Sequence, residues 1–183
     1  AKKAIDKGAD GLIAVAAGAG GHAGTKSPFA LMQELRKWFD GPIALSGSIA
    51  NGNSILAAQA MGADFAYVGS AFIATEEARA SDVYKQAIVD GTSDDVIYSN
   101  FFTGVYGNYL KTSIRNAGLD PENLPVNHEK TMNFSAGQAG KAKAWKDIWG
   151  SGQGIGAVKA RESAGEYVAK LVSEYNAAKA RIL

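Results

Sequence analysis

Cysteine is absent from these 183 residues, which removes disulfides, iron–sulfur ligation and a thiol nucleophile from consideration. The lack of disulfides fits a reducing cytoplasm, the expected location. Long apolar runs are missing too: nothing approaches the ~20 residues of a membrane span, and no signal peptide is visible. Neither sign of charge dominates. Nineteen Lys and Arg against eighteen Asp and Glu leave a net charge of +1. These charges are interspersed, so no basic stripe for nucleic acid and no polybasic membrane segment stands out. Histidine is scarce, and the two present, His22 and His128, lie far apart without acidic partners at ligand spacing, a poor basis for a metal site. What remains is an ordinary globular composition, 46% hydrophobic, enough for one sizeable core.

Within that composition the pattern is repetitive. Gly8-Ala9-Asp10 and Gly62-Ala63-Asp64 each close a helical pattern and open a short apolar strand, over residues 11–17 and 65–69. A third strand spans 42–46. Between the strands, Ser27 and Pro28 read as N-cap and first residue of a helix whose core positions are Phe29, Met32, Leu35 and Phe39. Asn53 reads as the cap of the next helix, with Ile55, Leu56 and Met61 facing the core. Strands alternating with helices predict parallel pairing, and near-continuous apolar strands predict a sheet buried on both faces. Residues 1–8 read as the last two turns of a helix closed by Gly8. A complete (β/α)8 barrel takes ~250 residues. The expectation is therefore that about five βα units precede Ala1 or come from another chain.

Past Ser70 the alternation stops. Residues 76–92, 111–117, 136–149 and 163–183 carry helical patterns, while 100–109 is an aromatic, glycine-rich loop and 120–130 a polar connection. No composition break marks a second domain. The chain thus divides into barrel units over 1–80 and a helical and loop extension over 81–183 that packs on them.

The chemistry is concentrated after the strands. The first apolar strand empties into Gly18, Gly20, Gly21, His22 and Gly24, which sets a titratable imidazole beside bare backbone. The spacing Gly18, Gly20, Ala23 matches a dinucleotide-binding expression, but the context fails. The helix waits for Ser27, and the acid expected at the end of the next strand is replaced by Leu45, Ser46 and Gly47. His22 has a structural and a catalytic reading; its place just past a strand's C-terminal end is where barrel enzymes keep their chemistry. His128 sits in a polar stretch and reads as solvated. Ser46-Gly47-Ser48-Ile49 and Gly69-Ser70 follow the next two strands, where barrels commonly bind phosphate; the same residues also suit plain tight turns. The aromatic residues 101–109 read as loop packing ahead of a cover for a ligand. Gln153, within the glycine-rich run 151–156, suits a ligand contact and a helix-to-helix turn equally.

Taken together, residues 18–24, 27–31, 44–52 and 62–78 resemble the nitronate monooxygenase family, formerly called 2-nitropropane dioxygenases. The likeness is strong over 1–80, loose beyond, and returns at 151–156. It implies an FMN-binding TIM barrel of which this chain supplies about strands 6–8, followed by a helical C-terminal extension. By position, Gly20 and Gly21 would approach the flavin, and Gly47, Ser48, Gly69 and Ser70 would hold its phosphate. His22 would hydrogen-bond the nitro group or remove the α-proton of a neutral nitroalkane. The implied reaction takes an alkyl nitronate and O2 to a carbonyl compound and nitrite, with FMN as the redox partner. Relatives on the same barrel include NAD(P)H-dependent quinone and enoyl reductases, the alternative activity; a non-catalytic half-barrel binding a phosphate ligand is the third. The resemblance requires the N-terminal half of the barrel, is compatible with a homodimer and calls for no metal, nucleic acid or membrane. Ser48 departs from the pattern, since the family usually has glycine there.

Overall fold

The glycine of each Gly-Ala-Asp motif takes a positive φ, Gly8 at +91° and Gly62 at +95°, where a side chain would be strained, so each helix ends there and turns into a strand. In the computed structural model, which describes residues 1–127 and 146–182, helix α1 (Lys2–Ile5) leads into β1 (Leu12–Val15). A two-residue strand β2 (Gly21–His22), α2 (Pro28–Arg36), β3 (Ile43–Ser46), α3 (Gly52–Ala60) and β4 (Phe65–Tyr67) follow. β1, β3 and β4 form a parallel sheet in that order, Val15 beside Ser46 and Ser46 beside Tyr67.

One face of this sheet is a core. Ala14, Ile43 and Leu45 pack with Met32 and Leu35 of α2 and Ala58 of α3. The opposite face departs from the expectation of strands buried on both sides: Ile13 and Phe65 are 60% and 64% exposed, and Val15 and Tyr67 lie beside them. Nothing among the described residues covers it. Ser27 caps α2 as read, its Oγ accepting from Ala30 N at 3.3 Å. Phe29 is corrected, for it is exposed in the first turn and the packed stripe begins at Met32. Asn53 is corrected as well. It lies inside α3, and Asn51 is the cap, its Oδ1 accepting from Ser54 N at 2.8 Å while Ser54 Oγ accepts from Asn51 N at 3.2 Å.

Beyond β4 come α4 (Ser70–Ile73), α5 (Asp82–Asp90), β5 (Val96–Ser99), β6 (Gly107–Leu110), α6 (Lys111–Asn116) and α7 (Ala164–Ile182). The helix expected over 76–92 starts only at Asp82, where Ser81 Oγ accepts from Tyr84 N. The stretch read as a loop over 100–109 ends in strand β6, and β5 was not foreseen. Together with β2 they form a second, antiparallel sheet in the order β2, β6, β5. This sheet shares a core with the first half: Leu110, Ile88, Ile155 and Tyr167 pack with Ala50 and Ala71. α7 lies across the start of α3, where Glu174 Oε2 accepts from Gly52 N at 2.8 Å. A Cβ on Gly52 would collide with Tyr175 N. His128 and residues 136–145 of the expected helix lie outside the described residues.

Candidate active site

The loops that leave the C-terminal ends of β1, β3 and β4 meet around one cavity of about 400 Å3. Gly18, Gly20 and Gly21 line it from the first, Gly47 and Ser48 from the second, Gly69 and Ser70 from the third. All six residues expected to touch a cofactor are therefore gathered there. A fourth wall comes from Gly150, Gly152 and Gly154, and a fifth contribution from Tyr84 of α5. None of the lining side chains is charged. A larger cavity, about 630 Å3, lies along α5 between Asp82, Asp90 and Arg161 and contains none of the expected residues.

Several of these glycines are required by close packing. A Cβ at Gly20 would come within 2.8 Å of Gly152 N and 3.0 Å of Ser70 Oγ, and a Cβ at Gly154 within 2.8 Å of Ser48 C. These positions are small because the loops press on one another, backbone to backbone. At Gly69 a Cβ would meet nothing within 4 Å. There the space belongs to the cavity. Gly18 and Ser48 form a pair: Ser48 holds φ +56°, a left-handed conformation that favours glycine, and its Oγ occupies the place a Cβ on Gly18 would need. Gly18 O accepts from Gln153 N at 2.9 Å, so the main chain of the 151–156 run serves the site while the Gln153 side chain is not among the cavity-lining groups.

Hydrogen bonds fix the walls. Ser70 Oγ accepts from Gly152 N at 2.7 Å and keeps its own proton to donate. Tyr84 Oη donates to Gly150 O at 2.5 Å, its ring stacks on Trp149 with centroids 4.7 Å apart, and burial pushes its phenol up to about 12. The buried Asn108 amide donates to Ala19 O at 2.7 Å and anchors the glycine loop from below. Sequence reasoning missed Tyr84, Asn108 and Thr103, which belong to no local motif and reach the site only through the fold.

His22 does not line the cavity; it follows Gly21, which does, on the short strand β2 opposite Gly107. Its Nε2 lies 3.0 Å from Thr103 Oγ1, and burial holds its pKa below the ordinary 6.5. The ring is therefore neutral near pH 7. The aromatic run does brace this region: Tyr98 Oη donates to Ala23 O at 2.7 Å and stacks on Tyr106 at 5.0 Å. Among the described residues, no group of three or more His, Asp or Glu is placed to hold a metal ion, and no helix is long and apolar enough to cross a membrane.

Comparison with known proteins gives this geometry a family context. The family model described as nitronate monooxygenase matches residues 1–174. A curated nitronate monooxygenase of Paraburkholderia phytofirmans is 31% identical over 146 residues, 75% of this chain and 40% of its own. Among solved structures, nitroalkane oxidase from Streptomyces ansochromogenes superposes with a TM-score of 0.74 at 27% identity, covering 99% of this chain and 56% of that one. FabK from Thermotoga maritima does so with a TM-score of 0.74 at 20% identity, covering 99% and 59%. The first two curated relatives are spanned over 50% and 45% of their length, so the chain corresponds to about half of each and folds as part of an α/β barrel.

Proposed function

We propose, since the chain belongs to the nitronate monooxygenase family, that the complete protein binds FMN and oxidises alkyl nitronates with O2 to a carbonyl compound and nitrite. The observation that carries this reading is the meeting of three successive βα loops and a fourth glycine-rich turn on one uncharged cavity, with a neutral imidazole on the next residue of the chain.

The residues present suit a flavin phosphate. Ser48 and Ser70 offer hydroxyls, the first N–H groups of α4 have no carbonyl within their own helix, and Gly69 leaves open space beside them. Gly47, Ser48, Gly69 and Ser70 would hold the phosphate through neutral donors alone. Gly20 and Gly21 would let the flavin approach the main chain, Gly20 being closely walled by Gly152 on its other side. When bound, FMN supplies the redox chemistry. The protein's own contribution is orientation and proton handling: with a pKa held below the ordinary value, His22 accepts the α-proton of a neutral nitroalkane and leaves the nitronate for oxidation. The open sheet face around Ile13 and Phe65 is the surface that the remaining barrel strands would cover in a full-length protein.

The test is made on the complete protein. Acid release should give a flavin with the mass of FMN, and ethyl nitronate with O2 should give nitrite. His22→Ala should retain the flavin and lose turnover of neutral nitroethane about 100-fold or more. Absence of flavin, or nitroethane turnover unchanged by His22→Ala, would contradict the reading.

A further inference from the structure

We infer that the hydroxyls of Tyr67 and Ser46 bind the polyhydroxylated chain that joins a flavin's phosphate to its ring. The inference deepens the proposed function and rests on its assignment of FMN to this cavity.

Five hydroxyl groups line the cavity, those of Ser46, Ser48, Tyr67, Ser70 and Tyr84. Two are engaged by the chain itself: Tyr84 Oη donates to Gly150 O at 2.5 Å, and Ser70 Oγ accepts from Gly152 N at 2.7 Å. Ser48, whose Oγ lies against Gly18, belongs to the turn that would hold the phosphate. The Tyr67 and Ser46 hydroxyls remain. Neither has a hydrogen-bond partner among the described residues.

The sheet puts these two groups side by side. Ser46 and Tyr67 are the last residues of β3 and β4 and stand opposite each other in register. Ile43 and Leu45 of β3 point into the core with α2, so the alternation of a strand sends Ser46 to the other face. Tyr67, 53% exposed, shares that face with Phe65. Gly47 follows Ser46 directly and Gly69 comes two residues after Tyr67, so both hydroxyls adjoin the turns assigned to the phosphate. A ligand anchored at those turns, with its ring against Gly20 and Gly21, still has its connecting chain to satisfy. In FMN that chain is a run of alcohols, which give up water on entering the site and need donors and acceptors in exchange. A phenol and a serine each supply one proton and lone pairs. With no charged side chain in the lining, the match is neutral to neutral.

The experiment takes the complete protein stripped of flavin and follows flavin fluorescence as three compounds are added: FMN, riboflavin, which lacks the phosphate, and lumiflavin, which has the ring with a methyl group in place of the chain. Tyr67→Phe and Ser46→Ala should each raise the Kd of FMN and of riboflavin about fivefold or more and leave that of lumiflavin within about twofold. The wild type should hold riboflavin about tenfold or more tighter than lumiflavin. Equal binding of those two by the wild type would overturn the inference, even where a variant does not fold. An FMN Kd unchanged in either variant, or lumiflavin binding lost in step with FMN, would overturn it as well. So would a Tyr67→Phe protein whose melting temperature falls while its FMN Kd does not, because the phenol would then be bonded within the barrel. A wild type that binds none of the three would remove the FMN assignment and this inference with it.

Discussion

Ser48 shows what a single residue can carry at this site. Its φ of +56° costs a side chain about 1 kcal/mol relative to glycine. Ser48 lines the cavity, and its conformation brings a hydroxyl against Gly18. Ser48→Gly should therefore raise the stability of the folded protein by about 1 kcal/mol, read from the denaturant midpoint, while the flavin dissociates more readily for want of one donor. His22 makes a pH prediction. Burial lowers its pKa below 6.5, so the neutral form persists to lower pH than in a free imidazole. The acid limb of kcat/KM for nitroethane should then fall below pH 6.5. In the linkage sense, the unfolded chain takes up this proton first as the pH drops through 6.5, so acid costs stability there, and above 6.5 the group contributes nothing. That Gly20, Gly21, Gly47, Ser48, Gly69 and Ser70 would gather past the strand ends was legible, because glycine and serine at the ends of successive apolar strands are unusual choices. Thr103, Asn108 and Tyr84 were not, since each acts on a residue more than 60 positions away and only the folded chain brings them together.

Among elements, those with local punctuation were readable and those made by pairing were not. α2 was announced by Ser27 and Pro28, and the parallel strands by the repeated Gly-Ala-Asp. The cap of α3 was misplaced by two residues because two asparagines flank Gly52 and only Asn51 stands in the extended conformation that a cap requires, φ −149°. β6 escaped notice because Gly107 and Asn108 are poor strand formers whose place is set by partners in β2 and β5, whereas Val96, Ile97 and Tyr98 of β5 are good strand formers and that strand was within reach of the sequence. Two junctions make predictions. A Cβ at Gly52 would collide with the α7 main chain, so Gly52→Ala should cost about 3 kcal/mol, seen in chemical denaturation. At the other end of the sheet, Asp64 Oδ2 accepts from Ile43 N at 2.8 Å and from Arg36 at 2.7 Å, and these two, in that order, hold its carboxyl below the ordinary 3.8. That stabilisation is present above 3.8 and is lost as pH falls through the lowered value. Asp64→Asn should lower the melting temperature at neutral pH, and the gap from wild type should close in strong acid.

At the scale of the described residues, the arrangement is a portion of a barrel whose βα loops meet on one cavity and whose sheet face around Ile13 and Phe65 is open. We propose that residues 81–183 are an extension of the barrel without independent standing, because Leu110, Ile155 and Tyr167 share their core with Ala50 and Ala71. The parallel pairing of β1, β3 and β4 was legible from alternation alone; the open face was not, because apolar strands of this kind read as buried on both sides. The central claim is that this cavity holds a flavin which nitronates reduce. It is tested most directly by the visible spectrum of the complete protein without oxygen, first after NADH and then after ethyl nitronate. The flavin band should persist through NADH and bleach on the nitronate. A band that bleaches rapidly with NADH and ignores the nitronate would contradict the account and make the protein a nicotinamide-dependent reductase.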